Sequence, residues 1–219
     1  MDVLPGATLR PEEPYAHETV SGTGDHGRTR RRGCPAGWER PVTRPTTGER
    51  ELVVLLDEGL EPVGTADKAA VHTADTPLHL AFSCYVRDGS GRVLLTRRAL
   101  GKTTWPGVWT NSCCGHPAPG EDLEAAVRRR VGQELGLSLT EVRPALPDFR
   151  YRAVSAEGIV ENEFCPVFWA LTDDAPSPDP AEVAEFSWAR WEDLVTVAER
   201  TPWLLSPWAV EQIPLLDRL

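Results

Sequence analysis

The sequence predicts an α+β domain in which a mixed β-sheet is layered between α-helices. Three observations carry this. Apolar residues alternate with period two through 78–86, they recur with helical spacing through 120–137, and strand-like and helix-like stretches interleave along the chain. In order, Leu52 to Leu56 reads as a strand and Glu58-Gly59 as a turn. Leu78 to Val86 reads as a longer strand that sets Leu78, Leu80, Phe82 and Cys84 on one face and His79, Ala81, Ser83 and Tyr85 on the other, so His79 is expected on the less apolar side. Asp88-Gly89-Ser90-Gly91 is a hairpin turn into a strand from Arg92 to Arg97. Trp105-Pro106-Gly107 then interrupts regular structure. Leu123, Ala126, Val127, Val131 and Leu135 form the apolar stripe of a helix, with Arg130 and Glu134 as i,i+4 neighbours off that stripe and Gly136 as its stop. Val142 to Val154 and Ile159 to Leu171 are expected as two strands joined at Ala156-Glu157-Gly158, and Ala184 to Trp188 as another; helices at about 191–200 and 206–218 finish the chain.

A length of 219 residues suits one domain plus a tail. Residues 1–48 are rich in Gly, Pro, Thr and Arg, lack a hydrophobic period and carry Arg28, Arg30, Arg31 and Arg32. Such a segment buries too little to offset its ordering entropy, so a disordered tail is expected before a folded domain at 49–219. A net charge of −10 argues against nucleic-acid binding, which leans on many Lys and Arg contacts, while leaving room for a local basic patch and a small anion. Five cysteines, two of them adjacent, do not look like a disulfide framework and fit a reducing cytoplasm. No apolar run approaches the roughly 18 residues of a membrane span, and the N-terminus lacks a signal peptide's apolar core. A soluble, cytoplasmic protein is expected.

The chemistry concentrates in Trp109-Thr110-Asn111-Ser112-Cys113-Cys114-Gly115-His116-Pro117, where a thiol and an imidazole precede a Glu-bearing helix. On a strand, Glu161 and Glu163 would point to one face. Three histidines outside the tail, His72, His79 and His116, together with this Glu-x-Glu pair suit a first-row divalent metal better than three unrelated structural histidines would. A structural zinc on Cys113, Cys114, His116 and Cys165 is an alternative without the usual paired-cysteine spacing. Glu121 and Glu124 are explained by the helix N-terminus, but Glu134 is not; it could hold a harder ion such as Mg²⁺ against substrate phosphates. Arg97, Arg98, Lys102 and Arg130 are candidate cationic partners for a diphosphate. Among Trp105, Trp109, Trp203 and Trp208, most should pack, while one ring face over a cation would add about 2 kcal/mol once dry.

These residues resemble a known family. The segments His72-Thr-Ala-Asp-Thr-Pro-Leu-His79 and Trp105-Pro-Gly-Val-Trp109-Thr-Asn-Ser-Cys-Cys114-Gly-His116-Pro, then Tyr151, Glu161-Asn-Glu163 and Thr201-Pro-Trp-Leu-Leu-Ser-Pro-Trp208, occur in the order of a type 1 isopentenyl-diphosphate Δ-isomerase, over residues 51 to about 213. Gly115 to Leu137 also looks like a degenerate Nudix box, with Gly115, Glu121, Arg129, Glu134 and Gly136 in phase but Arg130 and Gln133 where a hydrolase carries glutamates. The resemblance implies a Nudix-like fold and the interconversion of isopentenyl and dimethylallyl diphosphate in isoprenoid biosynthesis. It implies that His72, His79, His116, Glu161 and Glu163 bind one divalent metal, Zn²⁺ or Mn²⁺. Mg²⁺ would lie between Glu134, the Cys114 backbone carbonyl and the substrate diphosphate, whose pocket Lys68, Arg98, Lys102 and Arg130 complete. Cys114 would take a proton and Glu163, hydrogen-bonded to Tyr151, would deliver one, with Trp208 facing a tertiary cation. A monomer or weak homodimer acting on a small isoprenoid diphosphate is expected. A Nudix diphosphate hydrolase and a metal-dependent binding module without turnover are the alternatives.

Overall fold

A computed structural model describes residues 51–219, so the expected tail and its arginine cluster lie outside the described residues. β1 (Leu52–Leu56) and β2 (Pro62–Asp67) pair antiparallel around a turn in which Asp57 Oδ1 accepts from the Gly59 and Glu61 amides. A single helical turn, α1 (Lys68–Val71), follows, capped by Asp67. Next come β3 (His79–Leu80), β4 (Phe82–Arg87) and β5 (Val93–Arg98), the last two joined by the turn at Asp88. After the interruption at Trp105 and Gly107, both with positive φ, lie the short strands β6 (Trp109–Thr110) and β7 (Cys113–Gly115). α2 (Leu123–Leu135) is capped by Asp122 and stopped at Gly136. Gly136 has φ 66°, and a Cβ there would come within 2.9 Å of the Ser177 carbonyl, so glycine is required. The chain ends in β8 (Glu141–Leu146), β9 (Arg150–Val154), β10 (Val160–Phe164), β11 (Val167–Leu171), β12 (Val183–Ala189), α3 (Trp191–Arg200) and α4 (Pro207–Leu216).

The strands make two mixed sheets rather than one. The first runs β2-β1-β3-β10-β9 and the second β12-β5-β4-β11-β8, with β6 added beside β5 and β7 beside β4. The stretches 142–154 and 159–171, expected as single strands, each divide between the two sheets: β8 and β11 join the second, β9 and β10 the first. The division falls at Pro147 and Cys165-Pro166, where proline withholds a ladder amide and fixes φ, so the chain changes sheets there. β2, which the sequence reading left out, has an exposed outer half and so little apolar signal.

Helices cover both faces of the second sheet. Phe82, Cys84, Val86 and Leu94 meet Ala126, Val127, Val131 and Leu135 of α2, while Tyr85, Val93 and Trp169 meet Leu194 of α3 and Trp208, Ile213 and Leu216 of α4. Period-two alternation in β4 thus serves two cores. Ser83 and Tyr85 of β4, and His79 of β3 in the first sheet, all expected on the less apolar face, are fully enclosed. Strands sandwiched between helices bury both faces, and the polar residues of that face belong to the site described below. Leu135→Ala is expected to lower unfolding free energy by roughly 2–5 kcal/mol, the range for emptying a closed core position. Urea denaturation checks it, and an unchanged midpoint would mean that α2 is not seated as described.

Candidate active site

The gap between the two sheets holds a cavity of about 360 Å³, and among its walls are Lys68, His72, Arg98, Lys102, Cys114, His116, Arg130, Glu134, Tyr151, Glu161, Glu163 and Trp208. Of the residues singled out in the sequence for chemistry or binding, His79 is fully buried behind this wall. Strand register puts several in place: Glu163 of β10 pairs with His79 on one side and Tyr151 of β9 on the other, and Ser83 of β4 pairs with Cys114 of β7.

His72, His79, His116 and Glu163 offer ligand atoms that all lie within 4.8 Å of one another. His72 Nε2, His79 Nε2 and His116 Nδ1 are buried without a hydrogen-bond partner. The His79 Nδ1 hydrogen goes to the Pro77 carbonyl at 3.0 Å, which leaves Nε2 facing Glu163 Oε1 at 3.5 Å. Burial, then the two neighbouring imidazoles, push His72 down to about 4, so the three rings do not all carry protons. Buried imidazole nitrogens gathered around one carboxylate fit a single divalent cation. Glu161 lies outside this four-residue group: its Oε1 accepts from Thr104 Oγ1 at 2.8 Å and its Oε2 from the Tyr151 hydroxyl at 2.7 Å.

The two carboxylates differ in acidity. Burial and the Glu163 charge push Glu161 up to about 7, against the hydrogen bonds of Tyr151 and Thr104. For Glu163 burial also acts upward and most strongly, but the hydrogen bond with His116, the His79 ring close by and the charges of the two outweigh it and hold the carboxyl well below its usual range. Tyr151 reaches Glu163 Oε2 as well, at 2.9 Å. Burial pushes the Cys114 thiol up to about 12, against the hydrogen bond it shares with Ser83.

The cationic wall comes with its own anions. Lys68 Nζ meets Glu51 at 2.6 Å, Lys102 pairs with Glu182, and Arg130 pairs with Glu134 and lies 3.7 Å from Glu182. The Arg98 guanidinium donates to the Thr104 carbonyl at 2.9 Å and stands 5.7 Å from the Trp208 ring centre. Arg97, also considered in the sequence, instead pairs with Glu185 and is not on the cavity wall. Glu121, just before α2, is engaged by Arg129, and Glu124 on α2 by Arg128, so Glu134 is the α2 carboxylate that reaches the cavity.

The sequence reading gave no role to Ser83, Asn111 or Gln212, nor to Glu51 and Glu182. Asn111 sat inside the quoted cysteine segment, yet nothing there marks its partner Trp208, 97 residues away. Gln212 bonds Ser83 across 129 residues and carried no local signal.

Comparison with known proteins agrees with this architecture. A NUDIX domain profile matches residues 77–215. The chain is 62% identical over 161 residues to a Frankia alni protein named isopentenyl-diphosphate Delta-isomerase, spanning 74% of this chain and 83% of that one. A Mycolicibacterium vanbaalenii protein of the same name is 59% identical over 173 residues, 79% of this chain and 95% of its own. Among solved structures, a protein from Deinococcus radiodurans superposes with TM-score 0.58 at 22% identity, over 75% of this chain and 98% of its own. A MutT protein from Methanosarcina mazei does so with TM-score 0.53 at 22% identity, over 65% and 94%. These last two speak to the fold alone.

Proposed function

This chain belongs to the NUDIX-domain family, among the isopentenyl-diphosphate Delta-isomerases, and from that premise we infer the chemistry its cavity performs. The enzyme interconverts isopentenyl diphosphate and dimethylallyl diphosphate. The double bond moves from C3=C4 to C2=C3, so one group adds a proton at C4 and another removes one at C2. The observation that carries the reading is a thiol and a carboxylate, Cys114 and Glu163, on the wall of one cavity that cationic side chains also line.

Lys68, Arg98, Lys102 and Arg130 take the diphosphate, whose charge competes for them with Glu51, Glu134 and Glu182. His72, His79, His116 and Glu163, with Glu161 beside them, would hold one divalent ion, Zn²⁺ or Mn²⁺; Glu134 and the Cys114 carbonyl would hold Mg²⁺ with the diphosphate. Bound cations supply positive charge that lowers the carboxylate's basicity and neutralises the phosphates. Glu163, steadied by Tyr151, delivers the proton to C4; Cys114 removes one from C2; Trp208 presents its ring to the cation at C3. Burial raising the Cys114 thiol and the histidines lowering the Glu163 carboxyl favour the proton distribution that follows this turnover. It is equally the one from which the reverse reaction starts, with the two roles exchanged.

A Nudix hydrolase would need more acid on α2 than this helix presents, since Arg130 and Gln133 occupy those positions. A cytoplasmic setting and a monomer or weak homodimer complete the proposal. Purified protein given isopentenyl diphosphate and Mg²⁺ is expected to form dimethylallyl diphosphate, to stop after a strong chelator strips its metals, and to recover when Zn²⁺ or Mn²⁺ is restored with Mg²⁺. Absence of product with every metal tried would defeat the reading, and phosphate release in its place would favour the hydrolase.

A further inference from the structure

We propose that Ser83, Gln212 and Tyr85 are positioning residues for the isomerisation: they form a one-way hydrogen-bond chain that holds a single donor against the Cys114 sulfur. This deepens the isomerase reading and rests on it.

The direction of the chain starts at Asn111. Its Nδ2 donates to two backbone carbonyls, Cys113 at 2.8 Å and Cys84 at 3.1 Å, which can only accept. The amide orientation is therefore set, and Oδ1 faces the cavity side as an acceptor alone. Three donors converge on that oxygen: Thr110 Oγ1 at 2.7 Å, Trp208 Nε1 at 2.9 Å and Cys114 Sγ at 3.3 Å. With the thiol hydrogen directed at Asn111, the sulfur meets Ser83 Oγ, 3.3 Å away, with its lone pairs, and the serine hydroxyl donates to it. Ser83 Oγ in turn accepts from Gln212 Nε2 at 2.9 Å, and Gln212 Oε1 accepts from the Tyr85 hydroxyl at 3.0 Å. Ser83 has a second sulfur, Cys165, at 3.4 Å, but that residue is closed off from the cavity.

Ser83, Tyr85, Asn111 and Gln212 are all fully buried. Packing alone is served better by apolar side chains, because each buried polar group must find partners or lose stability. Here every partner is found, and of the two cysteines that Ser83 touches the chain ends on the one that lines the cavity. Charge gathering on Cys114 while its proton is in transit meets a donor that is already oriented, the same preorganisation that stabilises developing oxyanions. Asn111 also ties the Trp208 indole and the thiol to a single oxygen, so the two groups keep their relative position.

Ser83→Ala removes the donor; the serine is not on the cavity wall and is not one of the four side chains of the metal-sized group. It is expected to lower kcat about tenfold, the worth of one hydrogen bond to a charged group, with KM within about twofold of wild type. Ser83→Thr disturbs packing more than Ala but keeps the hydroxyl, and should recover most of the loss. Tyr85→Phe, a second variant that spares the cavity, lets the Gln212 amide reverse and take the serine hydrogen away from sulfur; a kcat fall of about threefold at constant KM is expected. Wild-type kcat in Ser83→Ala and Tyr85→Phe, or equal loss in the Ala and Thr variants, would overturn the proposal. If wild-type protein itself forms no dimethylallyl diphosphate, the isomerase reading has failed; an active wild type with indifferent Ser83 and Tyr85 variants defeats the chain only.

Discussion

Cys114→Ala is expected to lower turnover of isopentenyl diphosphate by about 10²–10⁴-fold, the usual contribution of a positioned acid or base, while leaving the fold intact. The side chain sits on a cavity wall, and alanine removes only a sulfur held by Ser83 and Asn111. The variant also separates the two proton-transfer roles. If Cys114 acts at C2, its loss leaves Glu163 able to protonate C4, and the cation can then only return by losing a C4 proton. In D₂O, recovered isopentenyl diphosphate should therefore carry deuterium at C4. Unlabelled substrate and no product would assign Cys114 to C4 instead; a rate like wild type would remove it from the mechanism.

Glu163→Gln should be at least as damaging. The amide keeps the shape and an oxygen for Tyr151 to donate to, but it neither carries a transferable proton nor a charge. A kcat fall of about 10²–10⁴-fold follows from the proton alone. A second loss concerns metal, because His79 and His116 face Glu163 Oε1 at 3.5 and 3.2 Å. Metal analysis of the purified variant is expected to show less bound Zn²⁺ or Mn²⁺ than wild type, and added metal should restore little activity. Full metal content with normal turnover would show that Glu163 is neither ligand nor acid.

Much of this site was readable along the chain because its chemistry is written in short, dense segments. Cys113 to His116 lie within four residues, and the alternation of Glu161 and Glu163 depends on strand geometry alone. The α2 stripe, its Gly136 stop and the Asp88 turn were equally local. The division of 142–154 and 159–171 between two sheets was not, since a proline marks a break without saying which strand each half will join. The anions of the cationic wall were missed for the same reason: Glu51 and Glu182 look like ordinary surface acids until Lys68, Lys102 and Arg130 are beside them.

Residue type and spacing by themselves determined the fold class, the ends of α2, the candidate thiol, carboxylates and imidazoles, and the resemblance that joined them, because these depend on local backbone periodicity and side-chain chemistry. Tertiary structure alone decided which four groups share one metal-sized space, which of the two neighbouring glutamates is the stronger acid, and that Ser83 and Asn111 meet the sulfur with Gln212 behind the serine. Those facts come from burial and from contacts across as many as 129 residues, where desolvation and neighbouring charge, rather than the identity of the residue, set what each group can do.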